Sequence, residues 1–307
     1  MTGVKASVPI QIWPPANSEG VIREQFRIVF MGSGRTHRGL AASVVALSNS
    51  LYQFEAQLRP DQCGGHRYPL TYGDVVAIKA TVEQSRQSQD LNSPETRIHA
   101  IRLLDPDEMT FEALLPRSWV TPAQYPTLIL LLQSLNAVSH RHVRRFLIDV
   151  LLNTNTALGL LTVPASIRHH HAYPGGLLEH TVDMLLELEQ QHRNGLDRLH
   201  MDVMRALIIV HDIGKVVTHV SGAYTQRGQW QPHEPAGLEL LASPLATLER
   251  NVPSMANIIR AAFKPPNYHP KQRHELHTLL SDLDRTSANR KPIDVRSFKV
   301  GDRELAD

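Results

Sequence analysis

The spacing of the apolar residues changes near Asp105, and that change constrains the fold more than any single motif. Before it, apolar residues come in short runs rich in β-branched residues, divided by polar turns. Gln25–Phe30, Ala42–Leu47, Leu51–Leu58, Asp74–Val82 and Arg97–Leu104 read as strands. Ser48, Asn49 and Ser50 supply the first tight turn; Pro60–Pro69 and Ser85–Glu95 read as loops. Short strands at this spacing suggest a small barrel or sandwich, and an OB-like five-stranded barrel fits the length. After Asp105, prolines 106, 116, 122 and 126 punctuate a connector. From about Thr127 the apolar residues take helical spacing. Thr127–Val138, His142–Leu152, Gly176–Gln191 and Met201–Val210 read as helices, and so do Leu238–Arg250, Ser254–Phe263 and His274–Asp284. Met201–Val210 is apolar on nearly every side, as a buried helix is. The expectation is an α+β multidomain chain with an extension over 1–20, a β domain over 21–105 and a linker over 106–126. An all-α domain over 127–290 and a tail over 291–307 follow.

The bulk numbers narrow the function. At 307 residues there is room for about two domains. A net charge of +2 carries no global signature of polyanion binding, although a local basic groove stays compatible with it. Cys63 is the single cysteine, so neither an internal disulfide nor a thiolate metal cluster can form. Met1–Pro15 lacks the pattern of a secretory signal, and apolar runs such as Leu128–Leu132 fall far short of the ~20 residues that span a bilayer. A cytoplasmic protein without a membrane partner is expected. The unusual count is 17 histidines, a residue type that serves as metal ligand and as acid or base.

The chemistry is concentrated in PASIRHHHAYPGGLLEHT (164–181) and in VHDIGK (210–215). Imidazole and carboxylate are both good ligands for divalent first-row metals. His211 and Asp212 stand at the end of a helix that should be buried, where an unpaired carboxylate is costly. Coordination would remove that cost. Gly214 permits a tight turn or a helix end, and Lys215 shares a face with His211 if the helix continues. His180, on another helix, can converge on the pair, and Asp282 or Asp284 is available to close the set.

The segment Pro164–Lys215 resembles the HD superfamily of metal-dependent phosphohydrolases. Its wording is similar to that of YhaM-type 3′-to-5′ exoribonucleases, which place an OB-fold domain before the HD domain. It also resembles the HD domain of MobH-type (TraI-like) conjugative relaxases, including the Gly228–Pro232 segment GQWQP. The resemblance implies that His180, His211, Asp212 and Asp284 hold a divalent ion (manganese, iron, nickel or magnesium), with Asp282 the alternative to Asp284. It implies that Asp212 can bridge two ions and that His233 serves a second one. Lys215 would meet the scissile phosphate, and His171 would face the site mouth. One departure counts against two ions: exonuclease-like members carry a His-His pair where this chain reads Ile258–Pro266, and His269, His274 and His277 lie out of pattern.

The activity these residues imply is phosphodiester hydrolysis on single-stranded RNA or DNA, as a 3′-to-5′ exonuclease. DNA processing in conjugative elements and small-nucleotide hydrolysis are the alternatives. The β domain would bind the strand, with Phe30, Tyr52, Phe54, Tyr68 and Tyr72 as stacking candidates. Its other use would be self-association into a homo-oligomer.

Overall fold

The computed structural model describes residues 11–15, 21–35, 41–58, 69–83, 95–191, 195–263 and 274–289. The chain divides into two compact units, Met1–Trp119 and Val120–Asp307. Tyr68, Cys63, His269 and the tail expected from 291 lie outside the described residues.

The first unit is a five-stranded antiparallel sheet in the order β3-β2-β1-β4-β5. The strands are β1 (Val21–Arg35), β2 (Ala41–Ser48), β3 (Gln53–Leu58), β4 (Val75–Glu83) and β5 (Glu95–Leu103). Alternation puts Ile22, Phe26 and Ile28 of β1 in the core with Val45, Leu47, Phe54, Val76 and Ile78. Phe26 and Phe54 meet edge to face, 5.2 Å between ring centroids. Ile98 and Ile101 are three residues apart, an odd spacing for one face. Both reach the core because the β4–β5 register shifts between Lys79 and Ala80. β1 is far longer than the six residues expected, since a second irregularity between Ile28 and Phe30 lets it continue along β2. Strands β3 and β5, at the two ends of the order, come into contact without a hydrogen-bonded ladder between them.

Residues 106–119, read above as connector, are built into this unit. Thr110 caps α1 (Phe111–Leu114), whose Phe111 and Leu114 are buried. The Ser50 N–H donates to the Glu112 carbonyl and the Arg117 N–H to the Asn49 carbonyl, tying the segment to the β2–β3 turn. Of the aromatic residues considered for stacking, Phe54 is wholly in the core and Tyr52 packs against it, whereas Tyr72 is half exposed.

The second unit is helical: α2 (Tyr125–Asn136), α3 (Arg141–Leu152), α4 (Thr154–Thr162), α5 (Gly176–Gln191) and α6 (Arg198–Val210). After a turn come α7 (Lys215–Thr218) and a small hairpin of β6 (His219–Val220) and β7 (Ala223–Tyr224). Then follow α8 (His233–Leu240), α9 (Ala242–Asn251), α10 (Pro253–Ala262) and α11 (Glu275–Asn289). Every residue of α6 from Met201 to Val210 is buried. Each fully buried aliphatic or Met side chain there contributes about 1.5–3 kcal/mol. The buried carboxylate of Asp202 is satisfied by the Ser139 N–H and hydroxyl, the His140 N–H and Arg205. The centre of α6 is therefore fixed in the bundle, and its C-terminal end is delivered to a defined place. Among the described residues no helix is long and apolar enough to cross a membrane.

Candidate metal centre

Four elements bring titratable side chains to one point in the helical unit. α5 carries His180, the end of α6 carries His211 and Asp212, α8 opens with His233, and α11 carries Asp284. Ligand atoms of His180, His211 and Asp284 lie within 4.8 Å of one another. His180 Nε2 is 3.3 Å from Asp284 Oδ1 and 3.7 Å from Asp212 Oδ2. His211 Nε2 is 3.3 Å from Asp212 Oδ2, and His233 Nε2 is 3.1 Å from Asp212 Oδ1. Lys215 Nζ donates to Asp212 Oδ2.

The local structure explains why these nitrogens point inward. The chain turns after α6 rather than continuing as helix, so Lys215 reaches Asp212 across three residues. His211 Nδ1 donates to the Ile208 carbonyl at 2.7 Å, which leaves Nε2 as the lone-pair atom. His180 is held from the other side: its Nδ1 meets Ser287 Oγ at 3.0 Å. Asp284 and Ser287 stand one turn apart on α11, so a single helix engages both nitrogens of one ring. Such outer contacts fix the tautomer and orientation of metal-binding histidines.

Whether the residues suit a cation can be tested on His211. Its Nε2 is buried and has no hydrogen-bond partner; the 3.3 Å approach to Asp212 lacks hydrogen-bond geometry. A lone pair facing a carboxylate oxygen is repulsive unless something positive lies between them. The electrostatics say the same. Burial opposes the imidazolium of His211, but Asp212 and Asp284 outweigh it and raise its pKa. Burial also opposes the Asp212 carboxylate, yet Lys215 and His211 hold it well below the usual range. Asp284 is likewise lowered: burial opposes its carboxylate, and His180 and His211 together outweigh it. The carboxylates that raise the His211 pKa would equally favour a divalent cation at its Nε2. Two imidazoles and two carboxylates suit a divalent first-row metal.

His171 does not lie at an open mouth, as expected from sequence; it is buried. Its backbone has φ 56°, and Gly175 behind it has φ 83°, the left-handed region that glycine adopts readily. His171 Nε2 is 3.3 Å from Asp183 Oδ2, and Nδ1 is 3.1 Å from the Tyr173 hydroxyl, which donates to Glu179. The ring stands 5.9 Å from that of His180. Sequence reasoning missed Asp183, which reads as an ordinary polar position on α5; its spacing of three from His180 was the available signal. His277, one of the out-of-pattern histidines, donates to the Ile258 carbonyl instead of joining the centre.

A groove of about 1100 Å³ opens beside the centre, with Lys215 and His233 in its wall. His219, also in the wall, was missed from sequence. Burial and the neighbouring Lys215 push its pKa down to about 4, so the ring is neutral near pH 7.

Over 83 residues the chain is 37% identical to the 3′-5′ exoribonuclease YhaM of Oceanobacillus iheyensis, covering 26% of each protein. It is 39% identical over 75 residues to YhaM of Geobacillus sp. (strain WCH70), covering 24% of this chain and 23% of that one. It is 37% identical over 73 residues to YhaM of Listeria monocytogenes serotype 4b, covering 23% of each. The chain thus matches about a quarter of the length of these relatives. No protein-family model matches the chain. No solved structure matches it.

The geometry separates the two candidate closing carboxylates. Asp284 faces His180, although its side chain is 50% exposed, whereas Asp282 is exposed and pairs with Arg285. Asp284→Ala should lower divalent-metal affinity by at least about 100-fold, the upper end of what loss of an outer contact costs. Asp282→Ala should leave it unchanged, as surface substitutions do. Titration with manganese checks this, and the reverse ranking would refute it.

Proposed function

We propose that this chain is a metal-dependent phosphodiesterase of the HD superfamily that shortens single-stranded nucleic acid from its 3′ end. The observation that carries the reading is the unpartnered, buried Nε2 of His211 facing Asp212, with His180 and Asp284 beside it. The partial similarity to YhaM exoribonucleases supports a nuclease and directs the reading to RNA.

On this reading His180, His211, Asp212 and Asp284 hold a divalent ion, with His233 as a further ligand on the Asp212 side. The ion supplies Lewis acidity toward water and toward the phosphoryl oxygen. Asp212 fixes charge at the centre, and Lys215, the ammonium next to it, stabilises negative charge that builds on the phosphate. His171, pinned by Asp183 and Tyr173, orients the inner wall beside His180.

The first unit is an OB-like strand-binding domain on the same reading. The order β3-β2-β1-β4-β5, with β3 and β5 in contact, supports it. The division of labour would then be strand binding over 21–105 and hydrolysis over 127–290.

Incubating the full chain, loaded with manganese, with end-labelled RNA, end-labelled single-stranded DNA and free nucleotides tests the proposal. A ladder of progressively shorter 5′-labelled RNA with mononucleotide release is expected. A discrete DNA nick would favour a mobilisation protein, and hydrolysis confined to free nucleotides a nucleotide phosphohydrolase. Full metal occupancy without hydrolysis of any of these would end the proposal.

A further inference from the structure

Trp230 is 85% exposed, an unusual place for an indole, which normally buries most of its area. The loop that carries it is tightly held. Thr225 Oγ1 donates to the Val217 carbonyl at 2.6 Å and accepts from the Gly228 N–H at 3.0 Å. The Thr225 N–H donates to the Thr218 carbonyl, and the Trp230 and Gln231 N–H groups donate to the Arg227 carbonyl. Arg227 is fastened to Gln231 and Glu239. Gly228 lies so close to α7 that a Cβ there would stand 2.1 Å from the Thr218 carbonyl oxygen. The backbone that carries the exposed indole is therefore preformed.

It is presented into the groove beside the metal centre. Arg168, His169 and Lys215 line that groove, and Glu234 is its one carboxylate among the described lining residues. Tyr224, 51% exposed, adds a second aromatic surface and is braced edge to face on His219 at 5.2 Å. A basic groove with exposed aromatic rings on a held backbone suits a single strand: cations track the phosphates and rings take the faces of the bases. A small phosphate ester would need no such surface. A preformed backbone reduces the ordering cost of binding.

We propose that Trp230 stacks on the base of a nucleotide adjoining the scissile phosphodiester of single-stranded RNA, whose backbone lies along Arg168 and Lys215. This rests on the nuclease reading and names the part of the site that grips the strand.

The test measures anisotropy of the full chain, with metal chelated to prevent cleavage, on two short labelled RNAs. One is ordinary; the other has the same phosphates but lacks the bases at its 3′ end. The wild type should bind the ordinary RNA about tenfold tighter, equivalent to ~1.4 kcal/mol. Trp230→Ala should bind both as weakly as the wild type binds the abasic one, and Trp230→Phe should recover most of the preference. Melting temperatures should be unchanged, because the side chain stands in solvent. Binding with cleavage but with the preference intact in Trp230→Ala overturns the stacking assignment alone. Neither binding nor cleavage of RNA by the metal-loaded wild type overturns the nuclease reading and this inference with it. Self-association of the wild type that Trp230→Ala abolishes would assign the indole to a contact between copies and overturn the proposal.

Discussion

On the proposed reading, replacing His211 and Asp212 together by alanine should abolish divalent-metal binding and lower phosphodiester hydrolysis about a thousandfold. The magnitude follows from the several kcal/mol of transition-state stabilisation that a catalytic metal supplies, at about 1.4 kcal/mol per factor of ten. The pair is singled out because its atoms hold the cluster together. Asp212 Oδ2 faces His180, His211 and Lys215, while Oδ1 faces His233. His211 contributes the lone pair that no protein group satisfies. With both gone, His180 and Asp284 remain as a pair, and His233 loses the Asp212 carboxylate through which it meets the cluster. Stability provides an independent readout. Saturating metal should raise the melting temperature of the wild type, since a ligand at 100 times its Kd adds about 2.7 kcal/mol. The double variant should show no such rise. Retention of full metal stoichiometry in the variant would sink the assignment.

Of the residues gathered in this cluster, His211 and Asp212 were the most legible in the sequence, because they stand directly after a strongly signalled helix. α5 begins where Gly175-Gly176 ends a turn, and the bounds Gly176–Gln191 are those expected from spacing alone. α6 was visible because Met201–Val210 is apolar on nearly every side, which is also why His211 and Asp212 stood out at its end. Other elements were hidden by local chemistry. The spacing placed a helix only from Leu238, and Pro235 lies just before that start. In the structure that proline sits in the first turn, where no N–H is needed, and α8 begins at His233. The single helix expected over Leu238–Arg250 is two, divided at the buried Leu241. α4 was missed because its threonines and Gly159 are poor helix formers. Asn153 caps it, and Gly159 lets it meet Val216 more closely than a Cβ would allow. The spacing of Asp183 from His180 places both on one helix face, but the pairing of Asp183 with His171 and the exposure of Trp230 depend on tertiary geometry.

Gly214→Ala should destabilise the helical unit by about 3 kcal/mol, the upper part of the usual range for overpacking. Sequence alone assigned this glycine to a tight turn or a helix end; it does stand in the turn after α6, and proximity adds a second reason for glycine there. Its φ is −65°, a conformation open to any residue. What excludes a side chain is proximity: a Cβ at 214 would lie 1.8 Å from the His233 carbonyl oxygen and 2.6 Å from the Gly237 backbone nitrogen. Backbone cannot yield as a flexible side chain can, so α8 and the turn after α6 would have to separate. Gly237 faces the same contact, where a Cβ would come within 3.3 Å of the Gly214 nitrogen. This approach of two backbones brings His233 Nε2 to 3.1 Å from Asp212 Oδ1. The substitution should therefore act twice. For a unit of this size, about 3 kcal/mol corresponds to a fall in Tm of roughly 6–12 °C. Metal affinity should also fall, although no ligand has been changed, because His233 is pushed away from Asp212. Calorimetry and manganese titration on one preparation would measure both. A variant that melts like the wild type would show that the two backbones are not in contact in solution. A destabilised variant with full metal affinity would remove His233 from the set of ligands.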